Sequence, residues 1–296
     1  MTTAVADLGL TRPSRAARVR EGAFEALLVV VTLFGIVTLF LLVGAVLRNG
    51  LPWLDTRTLL NQPSSSPYRA GVWAPFVGSL WIMAITAVLA FPLGVGAAIY
   101  LTEYAGESRV MRAVRVNVAN LAAVPSIVYG ILGLAVFVRS FGLGCNLLAG
   151  GLIMSLLVLP IVVIASQEAI IAVSQDLRQG ALGLGATKWQ TTSRVVLPSA
   201  LPGILTGTIL ALSRAIGETA PLILAGAVTY VTFTPTSLGD AFTVLPLQIF
   251  DWAARPQAAF KSGLAGAAII ILLALLLTMN AGAILLRNRL QRTRES

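Results

Sequence analysis

Residues 262–286 read SGLAGAAIIILLALLLTMNAGAILL and contain no charged side chain in 25 positions. At about 1.5 Å of rise per residue, a helix of this length crosses the ~30 Å hydrocarbon layer of a bilayer. This stretch therefore predicts a transmembrane helix.

The whole chain has the composition that this stretch suggests. Of its 296 residues, 57% are hydrophobic and 11% are charged, whereas soluble domains carry about 25% charged residues. Long apolar blocks also occur at about residues 26–47, 77–101, 118–138, 147–166 and 200–228. The sequence therefore predicts an all-α integral membrane protein with six transmembrane helices.

Several blocks contain prolines or charged residues that interrupt the apolar run. Pro92, Pro125 and Pro160 lie inside the second, third and fourth blocks, and Arg214 and Glu218 interrupt the fifth. Transmembrane helices tolerate proline because neighbouring helices satisfy the freed carbonyl groups. We therefore interpret each block as one span.

The distribution of basic residues predicts the orientation. If the N-terminus is cytoplasmic, fourteen of the 21 Lys and Arg residues lie in inside segments and six in outside segments. This bias favours a multi-pass protein of the cell (plasma or inner) membrane with both termini in the cytoplasm. We predict a cytoplasmic segment at 1–23, a six-helix transmembrane domain at 24–286 and a cytoplasmic tail at 287–296.

The predicted outer loop at 229–261 is long and carries four aromatic rings. They belong to Phe242, Phe250, Trp252 and Phe260. Aromatic rings are favoured where a bilayer meets water. We expect this loop to lie partly in the outer membrane interface.

Composition also excludes several classes of function. The net charge is +9, but most Arg residues flank apolar blocks, so nucleic-acid binding is not favoured. There is no histidine and one cysteine, which excludes His-centred zinc sites, His bases and an internal disulfide. Clustered carboxylates and a serine nucleophile motif, which a membrane enzyme would need, do not occur.

The chain has two lysines, Lys188 and Lys261, and neither belongs to a Walker A loop. We therefore expect no cofactor in this chain and no ATPase site of its own. ATP would be bound by a separate subunit.

The segment at about 167–198, between the fourth and fifth blocks, carries the most informative motif. It contains Gln179-Gly180-Ala181, then Gly185, then Val195 and Leu197-Pro198. Gly185 allows a sharp turn, and Thr187 followed by Gln190 is a capping-box pattern that starts a second short helix. Leu197-Pro198 is expected to end that helix, which gives a helix–turn–helix on the cytoplasmic face.

This spacing resembles the cytoplasmic loop signature of ABC-importer permeases: Glu-Ala-Ala, three residues, Gly, nine residues, an aliphatic residue, one residue, Leu-Pro. It departs from the signature at Gln179 and Gly180. In that family the loop docks into a groove of the ATPase subunit. The resemblance implies a docking role for Gln179, Gly180, Ala181, Gly185, Thr187, Trp189, Val195, Leu197 and Pro198. The alternative is an ordinary amphipathic interface helix anchored by Trp189.

Further runs resemble the A-type permease of phosphate-specific transport (Pst) systems. These runs are residues 92–94, 99–104, 125–130, 159–162, 215–222 and 245–250. The chain departs at Ile164, where relatives often have Arg, and at Gln167. The resemblance implies the type I ABC importer permease fold. It also implies that the substrate is inorganic phosphate, which is imported. The implied partners are a second permease subunit, which forms a heterodimer with this chain, an ATPase dimer and an extracytoplasmic phosphate-binding protein.

Two other kinds of transporter are weighed against this interpretation. A permease for another oxyanion, such as sulfate, molybdate or phosphonate, would share the fold and the loop. A stand-alone channel or secondary transporter would have no reason to carry the loop.

Arg214 is the predicted substrate-facing charge. It lies about 21 Å into a helix that begins near residue 200, where an Arg costs about 2.5–3.5 kcal/mol on insertion scales. Glu218 is four residues on, and Gly203, Gly207 and Ala211 continue that face with small residues suited to close packing. Arg214 and Glu218 are therefore assigned to the substrate path. The alternative is a self-neutralising pair that locks two helices together.

Overall fold

The computed structural model describes residues 15–106, 108–227 and 231–295, and no β-strand occurs among them. The α-helices are α1 (Arg15–Gly50), α2 (Thr56–Leu60), α3 (Trp73–Ile99), α4 (Arg109–Ala122), α5 (Ser126–Gly133), α6 (Leu147–Ile171), α7 (Gln175–Gly183), α8 (Lys188–Thr191), α9 (Leu197–Ala215), α10 (Ala220–Leu224), α11 (Leu245–Ala254) and α12 (Ala265–Glu295). Short π-helical segments at Tyr100–Tyr104, Leu134–Ser140, Thr192–Val196 and Ala259–Leu264 extend α3, α5, α8 and the start of α12.

The structure contains five of the six predicted membrane spans and a bent pair of helices at the position of the other one. In the described part of the chain, five helical stretches are long and apolar enough to cross a bilayer: Arg20–Trp53, Trp73–Tyr104, Leu147–Ile171, Lys188–Ala215 and Ala259–Arg289. Arg109–Ala122 and Ser126–Ser140, which are bent by 102° relative to each other, make a sixth if the two are counted as one span. The protein is therefore an all-α integral membrane protein.

The first helix belongs to a unit that ends at Arg48. Its large apolar side chains are exposed, among them Phe34 at 72% and Phe40 at 71%, as expected for a helix whose solvent is lipid. α1 begins at Arg15, inside the segment predicted as polar at 1–23, and residues 1–14 lie outside the described residues. At the other end, α12 continues through the predicted tail as far as Glu295.

The second unit comprises residues 49–296, and α6 is its central helix, packed between α3 and α9. Both Pro92 and Pro160 lie inside continuous helices, as predicted. The small-residue face of α9 packs closely, because a Cβ placed on Gly203 would lie 2.8 Å from that of Ala169. The predicted close packing is confirmed, and the neighbour is α6 of the same chain.

Two of the predicted spans are not continuous helices. The third block turns through 102° at residues 123–125, between α4 and α5. The fifth block ends as a helix at Ala215 and resumes at Ala220 as α10. We call residues 123–125 the first break and residues 216–219 the second break.

Three of the four aromatic residues of the 229–261 loop are buried within the protein. Phe242, Trp252 and Phe260 are fully buried, whereas Phe250 is 61% exposed. The Trp252 and Phe260 rings lie 6.0 Å apart between centroids. Large rings contribute most when they are buried, so this region, which includes α11, is part of the core.

The segment before α11 is fastened to the start of α6. The backbone N–H of Leu147 donates to the Asp240 carbonyl at 3.1 Å. Hydrogen bonds from the Ser237 hydroxyl and from the backbone N–H groups of Thr236 and Ser237 lower the pKa of the Asp240 carboxyl to about 2. The carboxylate is therefore ionised, and accepts these bonds, throughout the physiological pH range.

Candidate functional site

Arg214 lies in the last turn of α9, at the edge of the second break. Its side chain is 63% exposed, and its Nε lies 3.7 Å from Oε1 of Glu218, which is 18% exposed. The helix ends at Ala215, and the chain turns so that the Glu218 N–H donates to the Ala215 carbonyl at 3.1 Å. The expectation of one continuous helix face is therefore wrong, although the turn still brings the two charges together.

The first break lies next to the second. The Tyr129 hydroxyl donates to the Leu121 carbonyl at 2.7 Å and so closes the end of α4 across the bend. α5 packs against α10, and a Cβ on Gly130 would lie 2.7 Å from the Cα of Pro221. The two half-helices that follow the breaks thus pack directly against each other.

In a membrane, two adjacent helix breaks are tolerated only in particular surroundings. Non-helical backbone at membrane depth is tolerated only where it is buried in protein or lines a water-filled cavity. Arg214 adds an exposed cation at one break, and Pro125 at the other break is also exposed. This region is therefore the candidate substrate path of the chain.

The contact between the half-helices leads to a prediction. In Gly130→Ala the new methyl group would meet the backbone of Pro221, so one half-helix must shift, which we expect to cost about 1–3 kcal/mol of stability. Gly96→Ala in α3 is the matched control, because nothing lies within 4 Å of its Cβ position. Denaturant unfolding of both variants in the same micelle measures the difference. Equal stability would contradict the packing described here.

A polar pair inside the helix bundle adjoins Arg214. The Ser213 hydroxyl hydrogen-bonds to the Asn280 side chain at 2.5 Å, which links α9 to α12. Both residues line a small cavity of about 60 Å³. This bond fixes the rotation of α9 one residue before Arg214, and sequence reasoning missed it because residue 280 is 67 positions away.

The predicted helix–turn–helix is present between α6 and α9. We call residues 175–196, comprising α7, α8 and the π-helical segment after α8, the knob. Gly185 turns the chain with φ +84°. The Thr187–Gln190 capping box is confirmed, with both reciprocal hydrogen bonds formed at 3.3 and 2.8 Å.

The knob exposes an apolar surface. Leu184 is 91% exposed and Trp189 is 66% exposed, with Leu177 and Leu182 each at 51%. Among the residues assigned to docking, Gln179, Gly180, Gly185, Thr187 and Trp189 are exposed and Ala181 is half-buried. Sequence reasoning missed the three leucines, although Leu184 directly precedes the turn glycine and is the kind of residue that a partner surface covers.

Leu197 and Pro198 do not end the second helix of the knob, so that expectation is wrong. The chain continues from α8 through Thr192–Val196 into α9, which begins at Leu197 with Pro198 in its first turn. Proline is compatible with the first turn because its missing N–H would have no partner within the helix there. Val195, Leu197 and Pro198 are half-buried, so they lie where the knob joins the span.

Comparison with known proteins agrees with this geometry. Residues 90–292 match the family model described as binding-protein-dependent transport system inner membrane component. The chain belongs to this family. The match covers both breaks, the knob and the last span of the permease.

Curated relatives match over most of their length. The chain is 34% identical to the phosphate transport system permease protein PstA 1 of Mycobacterium tuberculosis (strain ATCC 25618 / H37Rv), over 74% of this chain and 70% of that protein. It is 33% identical to the probable ABC transporter permease protein YqgI of Bacillus subtilis (strain 168), over 69% and 70%. It is 30% identical to the phosphate transport system permease protein PstA of Xylella fastidiosa (strain Temecula1 / ATCC 700964), over 89% and 92%.

Solved structures share the fold of this permease at lower identity. A bacterial alginate ABC transporter matches with a TM-score of 0.65 and 16% identity, over 89% of this chain and 93% of that one. An inward-facing MetNI methionine ABC transporter matches with a TM-score of 0.60 and 18% identity, over 77% and 99%. The predicted type I ABC importer permease fold is confirmed.

Proposed function

We propose that this permease is one half of the translocation path of an ATP-driven importer of inorganic phosphate. The observation that carries the proposal is the similarity, at 30–34% identity, to phosphate transport permeases of two organisms, one of them over 89% of this chain. The predicted resemblance to Pst permeases agrees with these relatives.

The geometry of the path supports an anionic substrate. Arg214 is exposed, it lies at a helix break, and its distance of 3.7 Å from Glu218 leaves it only loosely paired. A guanidinium binds phosphate oxygens bidentately. Glu218 would hold Arg214 when the path is empty and would keep the anion from binding too tightly, since a transported ion must also leave.

The proposed partners follow from the family and from the exposed surfaces. A second permease subunit would complete the path, an ATPase dimer would bind ATP and cover the knob, and an extracytoplasmic binding protein would deliver phosphate. The apolar surface around Leu184 and Trp189 supports the ATPase contact. This chain would then contribute transport and no catalytic or cofactor-binding residue.

We propose that both termini and the knob lie in the cytoplasm, on the basis of the distribution of Lys and Arg. A cysteine at position 64, in the segment between α2 and α3, should react with a membrane-impermeant thiol reagent in intact cells. A cysteine at position 188 should react only after the cells are permeabilised. The reverse pattern would overturn the orientation. Cys145 is replaced by Ser in both variants, because it is exposed.

Transport by the reconstituted complex tests the function. The chain is co-purified with its permease partner and ATPase, placed in vesicles with the binding protein, and supplied with labelled phosphate. We expect ATP-dependent phosphate uptake that an excess of sulfate, molybdate or phosphonate does not reduce. Uptake of one of these competitors instead of phosphate would assign the permease to that oxyanion, and uptake without ATPase would favour a secondary transporter.

A further inference from the structure

A nearly buried ion pair connects the knob to the end of the second span. Arg178, in α7, forms an ion pair with Glu103, which lies in the π-helical segment Tyr100–Tyr104 that extends α3. The two side chains are 13% and 11% exposed. The other terminal nitrogen of Arg178 donates to the Ile170 carbonyl in the last turn of α6 at 2.7 Å. Arg178 of the knob therefore contacts both the helical segment that extends α3 and the last turn of α6.

Two more cations reach the same five-residue segment. Arg115 of α4 donates to the Leu101 carbonyl at 2.6 Å. Lys188, the first residue of α8, lies 5.2 Å from the centroid of the Tyr104 ring, within the range of a cation–π contact. The segment Tyr100–Tyr104 is therefore contacted by cations from three elements, of which two belong to the knob and one is the helix that leads to the first break.

Apolar packing joins the same elements. Leu101, Ile170 and Val196 are buried in one cluster, to which Met111 of α4 is packed at its edge. Beside the cluster is a polar cavity of about 440 Å³, lined by Arg115 and Arg178 and by Thr102, Gln167, Glu168 and Gln175. The connection therefore has an apolar part and an ionic part. Loss of the ionic part would loosen the connection and leave the apolar cluster in place.

Arg178 and Gln179 are adjacent in sequence but differ in their surroundings. Gln179 is exposed and carries no charge. Its neighbour Arg178 points into the protein and forms the ion pair with Glu103. Glu103 is 75 residues distant along the chain.

We propose that Glu103 is a positioning residue that couples the knob to the helix breaks. Its ion pair with Arg178 makes α7 and the Tyr100–Tyr104 segment move together. Because Arg115 donates to the same segment, α4 moves with it, and α4 ends at the first break. A push on the knob then changes the bend at residues 123–125. This inference rests on the proposed function, because it needs an ATPase that moves the knob.

The test is the number of ions moved for each ATP hydrolysed by the complete complex in vesicles. Glu103→Gln keeps the size of the side chain and removes its charge. We expect the assembled complex to hydrolyse ATP with an unchanged KM but to move about tenfold fewer ions per ATP, within the usual range of coupling between distant sites. Glu103→Asp and the exchange Glu103→Arg with Arg178→Glu should each restore part of the ratio.

A second ion pair of the chain supplies the matched control. Arg255 and Asp251 in the α11 region form an i,i+4 pair at 2.8 Å with exposures of 24% and 22%. Arg255→Gln should leave the ratio unchanged, because this pair touches neither the knob nor α4. An equal fall in the ratio with this control would overturn the proposal, since any lost ion pair would then uncouple the complex.

Two further outcomes would also overturn it. One is a wild-type ratio in assembled Glu103→Gln complexes. The other is that neither the Glu103→Gln nor the Arg115→Gln variant forms a complex, which would mean that these residues are needed for folding. The proposed function fails separately: if the wild-type complex moves another oxyanion, the same ratio is measured with that ion, and the coupling test keeps its meaning.

Discussion

Arg214→Gln is expected to lower phosphate uptake by about 10- to 100-fold, the loss that accompanies removal of one charge-assisted hydrogen-bonding group. The complex should still assemble and hydrolyse ATP. The reason is local: Arg214 is 63% exposed at the end of α9, so its replacement leaves no cavity in the core. Labelled phosphate uptake, normalised to assembled complex, gives the measurement.

The rival role for Arg214 is to lock two helices through Glu218. The energies argue against it, because an exposed ion pair contributes about 0–1 kcal/mol and this one is 3.7 Å long. Tertiary packing of α9 is already provided by Gly203 and Gly207 against α6. The lock would therefore add little to the stability of the fold.

Two further variants separate these roles. Arg214→Lys should recover only part of the uptake, since a point charge lacks the planar fork of the guanidinium. Glu218→Gln should assemble and bind phosphate more tightly, with slower release. Near-normal uptake by assembled Arg214→Gln complexes would leave the helix lock as the role of the pair.

Leu184→Asp is expected to weaken binding of the ATPase subunit by about 30-fold or more, the effect typical of a residue central to an interface. Leu184 is 91% exposed and Trp189 is 66% exposed, so neither side chain supports the core of this chain. An apolar residue that is covered by a partner loses most when a charge replaces it. Trp189→Ala should act in the same direction. Co-purification of the ATPase with tagged permease measures the loss.

Point substitutions test docking more cleanly than removal of the second helix. Deletion of residues 187–194 would also remove Thr191 and Thr192, which are buried, and would interrupt the continuous run into α9. Phe141→Ala is the matched control. This ring is also exposed, at 67%, but it precedes α6 in the chain, whereas the knob follows α6 and so adjoins the opposite end of that helix. Normal ATPase yield with Leu184→Asp and Trp189→Ala would favour the alternative of an interface helix anchored in lipid.

The spans were predictable because their signal is local. The fourth block was expected at residues 147–166 and forms a helix over Leu147–Ile171, with Pro160 inside it. The capping box of Thr187 and Gln190 was likewise predicted and is present. Long uncharged runs and cap spacings act over one or two turns, so the sequence alone contains them.

The breaks and the joint of the knob were not predictable in the same way. Pro92 and Pro125 look alike in sequence, yet only Pro125 lies at a 102° bend. The difference comes from distant partners, since the Tyr129 hydroxyl and the packing of Gly130 on Pro221 stabilise the bend. The Glu103–Arg178 pair has the same character, because no local pattern connects residues 75 positions apart.

The first break has a consequence for the life of the protein in the cell. α4 buries none of its residues, and α5 leaves Ile127, Val128 and Ile131 exposed beside Pro125. Without the proposed second permease, a copy of this chain would present this bent backbone to lipid, where each unsatisfied polar group costs several kcal/mol. If the proposed second permease covers this face, supply of that partner, rather than synthesis of this chain, would set how many copies the membrane retains.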